Sequence, residues 1–261
     1  MQKSKAKQIH SRFRTRARPI RNYDFIQSVV DRLRILKDSQ TYSEMEESSG
    51  VHGTLLCRYV TGSIRPSKGQ AKLLEKTLLD KSSFKSALLQ RITRTEGGYL
   101  DVHNLIADPE VLRWIAADLA SKFSGLNCDR ILTAASSGIS LATALGLQLG
   151  VPIAYASDSK FAGPGPYFDV DLDSSNPSEI STLYLPANLV KKGDHIIIVD
   201  DLATSGRTLK GLITLCEKAM CSLSAIFVLV SRSKNWKDKI GTEALGKKGV
   251  KLSIYLDLEK K

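Results

Sequence analysis

Residues 195–208 read HIIIVDDLATSGRT, where a wholly apolar run changes at Asp200 into carboxylates, hydroxyls and a glycine. The apolar run predicts a strand that is covered on both faces, as strands of parallel sheets are. A helix is predicted to start directly beyond the turn, near Gly206. A buried strand, a glycine turn and a helix in direct succession are typical of α/β folds.

Strand-like and helix-like runs alternate around this stretch, so the sequence predicts a central parallel sheet flanked by helices. An apolar helix is predicted between the first two strands, ending at Gly150. Residues 157–194 are a long irregular segment, which we expect to be a hood or flexible loop over a ligand, with YFDVDLD and STLYLP pairing as a hairpin. The predicted strands are RILTAA (130–135), PIAYA (152–156), HIIIVD (195–200), AIFVLV (225–230) and KLSIYLDL (251–258).

The turn after HIIIVD has the composition of a phosphate-binding site. Open parallel sheets bind ligands at the carboxyl ends of their strands, and this turn places successive backbone amides at a helix N-terminus. Two carboxylates beside a phosphate are unfavourable unless they accept hydrogen bonds from sugar hydroxyls or hold a Mg2+ ion. The sequence therefore predicts a ribose 5-phosphate site. Its residues are Asp200, Asp201, Ala203, Thr204, Ser205, Gly206, Arg207 and Thr208.

The run IIIVDDLATSGRT (196–208) resembles the 5-phosphoribosyl 1-pyrophosphate (PRPP) signature of type I phosphoribosyltransferases, with the strand, acidic pair and T-S-G-x-T loop all present. The run ILTAASSGISLATALGLQLGVPIAYA (131–156) is similar to the first strand, pyrophosphate loop and helix of orotate phosphoribosyltransferases. The resemblance covers most of residues 99–261. It assigns Ala135, Ser136, Ser137 and Gly138 to the pyrophosphate side of the site.

The basic residues of a transferase are missing where this resemblance would place them. Orotate phosphoribosyltransferases have an Arg-Lys pair after the strand that corresponds to PIAYA, and this chain has Ser157 and Asp158 there. Residues 161–180 hold four carboxylates and no lysine or arginine, which opposes the departure of pyrophosphate. We therefore predict no catalytic residue, with Lys160 as a partial substitute that leaves PRPP binding possible without fast transfer.

The positive charge of the chain is concentrated at its N-terminal end. Residues 1–98 hold 20 Lys and Arg against 9 Asp and Glu, whereas the remaining residues hold 18 of each. An excess of this size predicts an acidic partner such as nucleic acid. Residues 1–21 carry eight basic and no acidic residues, which predicts a flexible arm that is either a phosphate-seeking extension or a solvated tail.

Residues 41–78 predict three short helices with closely spaced ends. Thr41 with Glu44 and Ser67 with Gln70 fit capping boxes, and Gly50 fits the turn between the first two helices. This pattern resembles the helix-turn-helix of bacterial and archaeal regulators, except that Glu46 stands where a small residue is usual. A three-helix bundle without a ligand is the alternative. The predicted DNA-binding residues are His52, Thr54, Cys57, Arg58, Arg65 and Lys68.

The expected domain organisation is a flexible basic arm (1–21), a small all-α helix-turn-helix domain with linker (22–98) and a phosphoribosyltransferase-like domain (99–261). TEGG (95–98) would be the hinge, and a helix capped by Asp108 would follow. The four cysteines lack the spacing of a metal site. No signal peptide or membrane span is recognisable, so we expect a cytoplasmic protein.

The combination resembles two known arrangements, the archaeal orotate phosphoribosyltransferase-like transcriptional regulators and the bacterial purine repressor that senses PRPP. LTAASSGISLAT (132–143) and RYVTGSIRPS (58–67) favour the archaeal family. The resemblance implies a homodimeric regulator that binds double-stranded DNA and PRPP or a related nucleotide, with Mg2+ near Asp200 and Asp201. The alternatives are an active orotate or purine phosphoribosyltransferase with a basic appendage and an RNA-binding regulator, although few aromatic residues accompany the arm.

Overall fold

The computed structural model describes residues 25–79, 81–160, 165–173, 181–233, 235–240 and 250–259. These residues form two compact units that meet in the chain between Leu119 and Ala120. The predicted basic arm, residues 1–21, lies outside the described residues. Within the described residues, no helix is long and apolar enough to cross a membrane.

The N-terminal unit is mostly helical. It contains the start of a long helix that continues to Lys122. Residues 99–119, which the sequence analysis assigns to the second domain, are grouped with this compact unit in the structure. Its elements are α1 (Phe25–Lys37), α2 (Tyr42–Ser49), α3 (Gly53–Val60), α4 (Lys68–Thr77), α5 (Lys81–Leu89), β1 (Thr93–Arg94), β2 (Leu100–Asp101), α6 (His103–Ile106) and α7 (Pro109–Lys122).

The ends of the short helices follow from the predicted capping residues. The Thr41 side chain accepts a hydrogen bond from the Glu44 amide, and the Glu44 carboxylate accepts one from the Thr41 amide. Ser67 and Gln70 form the same reciprocal pair at the start of α4. Gly50 ends α2 with φ of 67°, a left-handed conformation that glycine adopts without steric cost. Met45 and Leu56 are fully buried in the small core that these helices share.

The C-terminal unit is an α/β fold around a central parallel sheet, as predicted. Its five strands lie in the order Ile153–Ala156, Arg130–Ala134, His195–Ala203, Ser222–Ser231 and Lys251–Asp257. The strands Ile196–Val199 and Ala225–Val230 are fully buried, which explains why their sequences read as continuous apolar runs. The elements are β3 (Arg130–Ala134), α8 (Gly138–Leu149), β4 (Ile153–Ala156), β5 (Tyr167–Leu172), β6 (Ser181–Pro186), β7 (His195–Ala203), α9 (Arg207–Lys218), β8 (Ser222–Ser231), α10 (Asn235–Lys239) and β9 (Lys251–Asp257).

The segment between β4 and β7 is more regular than expected. β5 and β6 pair as the predicted antiparallel hairpin, from Tyr167 opposite Pro186 to Leu172 opposite Ser181. The hairpin packs on α9 at Gly211, where an added Cβ would lie 2.5 Å from the Leu172 Cδ2 atom. The described part of this segment therefore forms a hairpin that covers a helix.

Candidate functional site

The site lies at the carboxyl end of β7, where this strand extends beyond the end of its neighbour β3. Pairing between these strands ends at Leu132 opposite Ile198, whereas pairing of β7 with β8 continues to Ala203 opposite Ser231. The strand therefore extends three residues beyond its predicted end at Asp200, because β8 supplies hydrogen-bond partners for the whole length. The edge of β7 beyond Ile198 is left open toward the loop that follows β3.

The loop after β3 reaches the acidic pair through a direct hydrogen bond. The Ser137 hydroxyl donates to the Asp201 Oδ1 atom at 2.9 Å. At the start of the loop, the Ala135 amide donates to the Ala156 carbonyl at 2.7 Å, and the peptide bond between Ala135 and Ser136 is cis. The two segments predicted to form one site, 64 residues apart in sequence at this bond, are thus in contact.

Gly138 begins α8 at a position with no room for a side chain. A Cβ atom there would lie 2.1 Å from the Thr133 Oγ1 atom and 3.7 Å from the Val199 carbonyl. Thr133 is fully buried, and its hydroxyl has no hydrogen-bond partner among the described residues. This close approach keeps the start of α8 against the carboxyl ends of β3 and β7. Ala135 and Ser136 remain exposed to solvent, and Ser137 is half-buried.

The turn between β7 and α9 exposes part of the predicted phosphate-binding surface. Thr204 and Arg207 are exposed, while Ser205 and Thr208 are half-buried. Gly206 has φ of 76° and is buried, and it is the residue from which the helix starts. This geometry places the first-turn amides of α9 beside the turn, where an anion is favoured by both hydrogen bonding and the helix dipole.

The end of β8 and the start of α10 pack against this turn. Trp236 is fully buried, and its Cβ atom would lie 2.8 Å from a Cβ at Gly206. The Trp236 indole donates to the Ser231 hydroxyl at 2.9 Å, and the Arg232 amide donates to the Ala203 carbonyl at 3.0 Å. Sequence reasoning missed this support. The sequence signal for this contact is a tryptophan five residues after the end of β8, a residue type that is often buried. The sequence does not show that Gly206 is its packing partner.

The acidic pair is buried and electrostatically strained. Asp200 and Asp201 are each 6% exposed. Burial, followed by the adjacent charge of Asp201, raises the pKa of Asp200 to about 8, although the Asp201 backbone amide partly offsets this by donating to it. Groups that titrate this far from their ordinary range are common at ligand sites. A ligand that donates hydroxyl groups, or a cation, would lower the cost of ionising Asp200.

Two carboxylates alone do not form a metal site. The described residues contain no group of three or more His, Cys, Asp or Glu side chains suited to a metal ion. Mg2+ binds through one or two carboxylates together with water and phosphate oxygens, which fits Asp200 and Asp201 only when a phosphate ligand completes the set. The four cysteines are free thiols.

The described cations near the hood are engaged elsewhere. The Lys160 ammonium lies over the rings of Tyr184 and Tyr167, 4.9 and 5.8 Å from their centroids. The Arg207 guanidinium donates to the Asp173 carbonyl at 3.1 Å, and the Asp173 carboxylate pairs with Lys210 at 2.7 Å. Lys160 thus packs on the hairpin, and the predicted acidic hood is held partly on α9 by these contacts.

Most of the predicted DNA-binding residues are exposed on the N-terminal unit. His52, Thr54, Arg58, Arg65 and Lys68 are exposed, and Cys57 is half-buried. The His52 ring accepts a hydrogen bond from the Thr54 amide at 3.3 Å, so this histidine also caps α3.

Glu46 departs from the usual pattern for a structural reason. Its Oε2 atom accepts a hydrogen bond from the Gly53 amide at 2.6 Å. The carboxylate therefore satisfies an unpaired amide at the start of α3 and faces the positive end of that helix. A small residue at position 46 is unnecessary because Gly53 itself leaves the space.

Comparison with known proteins identifies the C-terminal region. The family model for the phosphoribosyl transferase domain matches residues 103–249, more than half of the chain. A hypoxanthine/guanine phosphoribosyltransferase of Methanohalophilus mahii is 30% identical over 151 residues, which are 58% of this chain and 73% of that enzyme. A xanthine phosphoribosyltransferase of Heliobacterium modesticaldum is 26% identical over 125 residues, covering 48% and 66% of the two chains.

A regulator is also among the relatives. The purine biosynthesis transcriptional repressor PurR of Bacillus subtilis (strain 168) is 28% identical over 208 residues, which are 78% of this chain and 68% of the repressor. Residues 99–261 make up less than two thirds of the chain, so this match extends into the helical N-terminal unit.

Solved structures with the same fold are adenine phosphoribosyltransferases. The enzyme from Thermoanaerobacter pseudethanolicus aligns with a TM-score of 0.58 at 16% identity, covering 67% of this chain and 99% of that one. The enzyme from Saccharomyces cerevisiae, solved with an imino-altritol bisphosphate and adenine, aligns with a TM-score of 0.56 at 19% identity, covering 67% of this chain and 99% of that one. At these identities the likeness concerns the fold.

Proposed function

The chain belongs to the phosphoribosyl transferase domain family, and we propose that within this family it is a transcriptional regulator rather than a transferase. In this proposal the C-terminal unit binds PRPP or a related nucleotide, and the N-terminal unit binds duplex DNA as a helix-turn-helix module. The observation that carries the proposal is the match to a purine repressor, which spans both units of this chain.

Ligand binding rests on the two loops joined by the Ser137–Asp201 hydrogen bond. The turn from Ala203 to Thr208 would donate backbone amides and hydroxyls to the 5-phosphate, while Asp200 and Asp201 would accept hydrogen bonds from the ribose hydroxyls. The loop from Ala135 to Gly138 would face the substituent on the first carbon of the ribose. When bound with a phosphate ligand, Mg2+ would supply charge neutralisation between the acidic pair and the phosphate oxygens.

Weak catalysis follows from the charges around this site. The transition state of phosphoribosyl transfer builds negative charge on departing pyrophosphate, which basic side chains must stabilise. Lys160 packs on Tyr184, and Arg207 is bonded to the Asp173 carbonyl. The described hood also contributes the carboxylates Asp169, Asp171 and Asp173, whose negative charge disfavours departing pyrophosphate. The site therefore supports binding of the ligand better than transfer of its phosphoribosyl group.

The competing proposal is an active purine phosphoribosyltransferase, which is favoured by the enzyme relatives named above. It predicts release of pyrophosphate from PRPP in the presence of hypoxanthine, guanine, xanthine or adenine. The regulator predicts no such turnover. The archaeal orotate phosphoribosyltransferase-like family remains our proposal for the arrangement of the whole chain, but the relatives make purine nucleotides the first ligands to compare with UMP.

The ligand site is tested by calorimetric titration of the full chain with PRPP, AMP, GMP and UMP, with and without Mg2+. We expect Asp200→Asn/Asp201→Asn to weaken binding of the preferred ligand by at least about tenfold, since hydrogen bonds to charged groups contribute about 1.5–3 kcal/mol each. The control Glu47→Gln/Glu96→Gln removes two exposed carboxylates of the N-terminal unit and should bind as the unmodified protein does. Unchanged affinity in the aspartate variant would refute the ribose assignment.

The nucleic-acid partner is tested by anisotropy with labelled duplex DNA, single-stranded DNA and RNA at one fixed salt concentration. We expect preference for duplex, because the exposed side of α3 offers hydrogen-bonding residues rather than a stacking platform. The regulator would act as a homodimer, whose paired α3 helices must match half-sites about 34 Å apart or a multiple of that spacing. Preference for single-stranded RNA would favour the RNA-binding alternative.

A further inference from the structure

The exposed side of α4 carries lysines beyond those already assigned to DNA contact. Lys68, Lys72 and Lys76, here named the lysine row, are all exposed. Residues four apart lie on the same side of a helix, so the three ammonium groups leave α4 in one direction. Eight residues of helix span about 12 Å, which gives a linear cationic edge.

The packing of α4 keeps the lysine row facing solvent. Ala71 and Leu74, on the other side of α4, are fully buried. The capping box of Ser67 and Gln70 fixes where the helix begins and therefore which residues face outward. Rotation of α4 to turn its lysines inward would expose the apolar pair, so the row is a permanent surface feature.

The lysine row has no neutralising carboxylate among the described residues. Between residues 58 and 78 the chain has five cations and one carboxylate, Glu75. The Glu75 Oε1 atom accepts a hydrogen bond from the Arg32 Nη2 atom at 2.8 Å, so it is engaged by a cation of α1. No carboxylate in the described chain lies within ion-pair distance of Lys68, Lys72 or Lys76, so the described residues leave the positive charge of the row unneutralised.

The row continues the cationic end of α3. Arg58 and Arg65 are both exposed, and the Ile64 amide donates to the Arg58 carbonyl at 3.2 Å, which folds the intervening segment into a compact turn. The chain therefore passes from the predicted recognition helix to α4 through successive exposed cations. The exposed carboxylates Glu44 and Glu47 belong to α2 instead.

We propose that α4 lies along one phosphate strand of duplex DNA, with Lys72 and Lys76 each neutralising a phosphate beyond the contacts of Arg65 and Lys68. This inference rests on the proposed function, because it assumes that the N-terminal unit binds DNA. The chemistry fits duplex backbone: the three lysines recur every fourth residue on one side of α4, and their exposed neighbours, Gly69 and Leu73, offer no aromatic ring for stacking single-stranded bases.

The test is the salt dependence of duplex affinity in the full chain, measured by anisotropy between about 50 and 200 mM salt. Each phosphate contact contributes about 0.9 to the slope of log affinity against log salt. We expect Lys72→Ala/Lys76→Ala to reduce the slope by about 1.8 and the affinity by roughly 10- to 100-fold at ~100 mM salt, equally for different duplex sequences. Lys72→Arg/Lys76→Arg should retain most of the binding.

The matched control is Lys191→Ala/Lys192→Ala, which removes two exposed lysines from the C-terminal unit. It should leave the slope unchanged, and equal melting temperatures of the two alanine variants would show that both are folded. A slope that changes as little in Lys72→Ala/Lys76→Ala as in the control, while the unmodified protein binds duplex, overturns this inference alone. Absence of salt-dependent duplex binding by the unmodified protein overturns the proposed function and this inference together.

Discussion

At the scale of single residues, the candidate site contains two carboxylates in a position where ionisation is unfavourable. Asp200 is buried next to Asp201, whereas Glu46 is stabilised because it accepts a hydrogen bond from the Gly53 amide at a helix N-terminus. The same chemical group is thus destabilising in one place and stabilising in the other. The difference lies in the surroundings of the group, because burial and the adjacent Asp201 charge raise the pKa of Asp200.

Asp200 should make the ligand-free protein less stable as pH rises. Its pKa is about 8 in the folded protein and 3.8 as the ordinary value, so between these pH values the folded state binds a proton that the unfolded state releases. The contribution of this proton is fully present below pH ~4 and is lost as pH rises through about 8. The variant Asp200→Asn mimics the protonated form and removes this dependence.

Calorimetric melting at pH 5 and pH 8.5 checks this expectation. The melting temperature of Asp200→Asn should exceed that of the unmodified protein by roughly 5 °C or more at the higher pH and by much less at the lower one. The exposed carboxylate Asp169 provides the control Asp169→Asn, for which the difference should be small at both pH values. An equal gain at both pH values for Asp200→Asn would contradict the buried, protonated state.

At the scale of elements, two loops and one helix start form the candidate site because neighbouring strands have different lengths. β7 extends beyond β3, and the open edge receives the loop that precedes α8. The turn before α9 is supported by the start of α10, where Trp236 packs against Gly206. Close backbone approach, rather than any polar side chain, sets the position of the helix N-terminus that would face the phosphate.

Gly206→Ala should disturb this turn in two ways, through the left-handed backbone conformation and through steric overlap with Trp236. Both Gly206 and Gly193 have left-handed φ values, 76° and 85°, but a Cβ at Gly206 would lie 3.1 Å from the Trp236 carbonyl while one at Gly193 meets nothing within 4 Å. Each substitution should cost about 1 kcal/mol of unfolding free energy for the conformation. Only Gly206→Ala should also weaken binding of the phosphoribosyl ligand, by roughly tenfold or more.

Calorimetric titration with the preferred ligand compares the ligand affinities of Gly206→Ala and Gly193→Ala. Gly193→Ala serves as the matched control because it introduces the same strain in the same unit without the steric overlap. Comparable ligand affinity in both variants would show that the turn tolerates displacement, which would count against a phosphate cradle at this position.

At the scale of the whole molecule, the proposed regulation is a coupling between ligand affinity and DNA affinity. A ligand changes DNA binding only if it binds the two states of the protein differently, and the coupling is reciprocal. The factor by which the phosphoribosyl ligand changes duplex affinity must therefore equal the factor by which duplex changes ligand affinity. Typical couplings correspond to about 5- to 150-fold.

Duplex titrations with and without saturating ligand, and the reverse titrations, measure both factors. We expect Asp200→Asn/Asp201→Asn to abolish the coupling at the ligand concentration that saturates the unmodified protein, while its duplex affinity without ligand stays the same. Equal duplex affinity with and without ligand in the unmodified protein would remove the regulatory part of the proposed function.

Much of the fold could be predicted because its signals are local. The apolar runs mark the buried strands, the capping boxes at Thr41 and Ser67 fix helix starts, and Gly50 fixes a turn. The PRPP-like run was recognisable for the same reason, since strand, acidic pair and glycine turn are contiguous. The predicted boundary near residue 99 stays a prediction: the family match begins at residue 103, whereas the compact units of the structure divide between Leu119 and Ala120.

The sequence by itself determined the alternation of elements, the excess of positive charge before residue 99 and the chemistry offered at the end of β7. Only the tertiary structure decided that Ser137 bonds to Asp201, that Trp236 lies under Gly206 and that Lys160 packs on the hairpin. The physical reason is that periodicity, capping and turn chemistry act between residues close in sequence. Contacts between distant residues depend on strand lengths and packing, which become defined only when the whole sheet has formed.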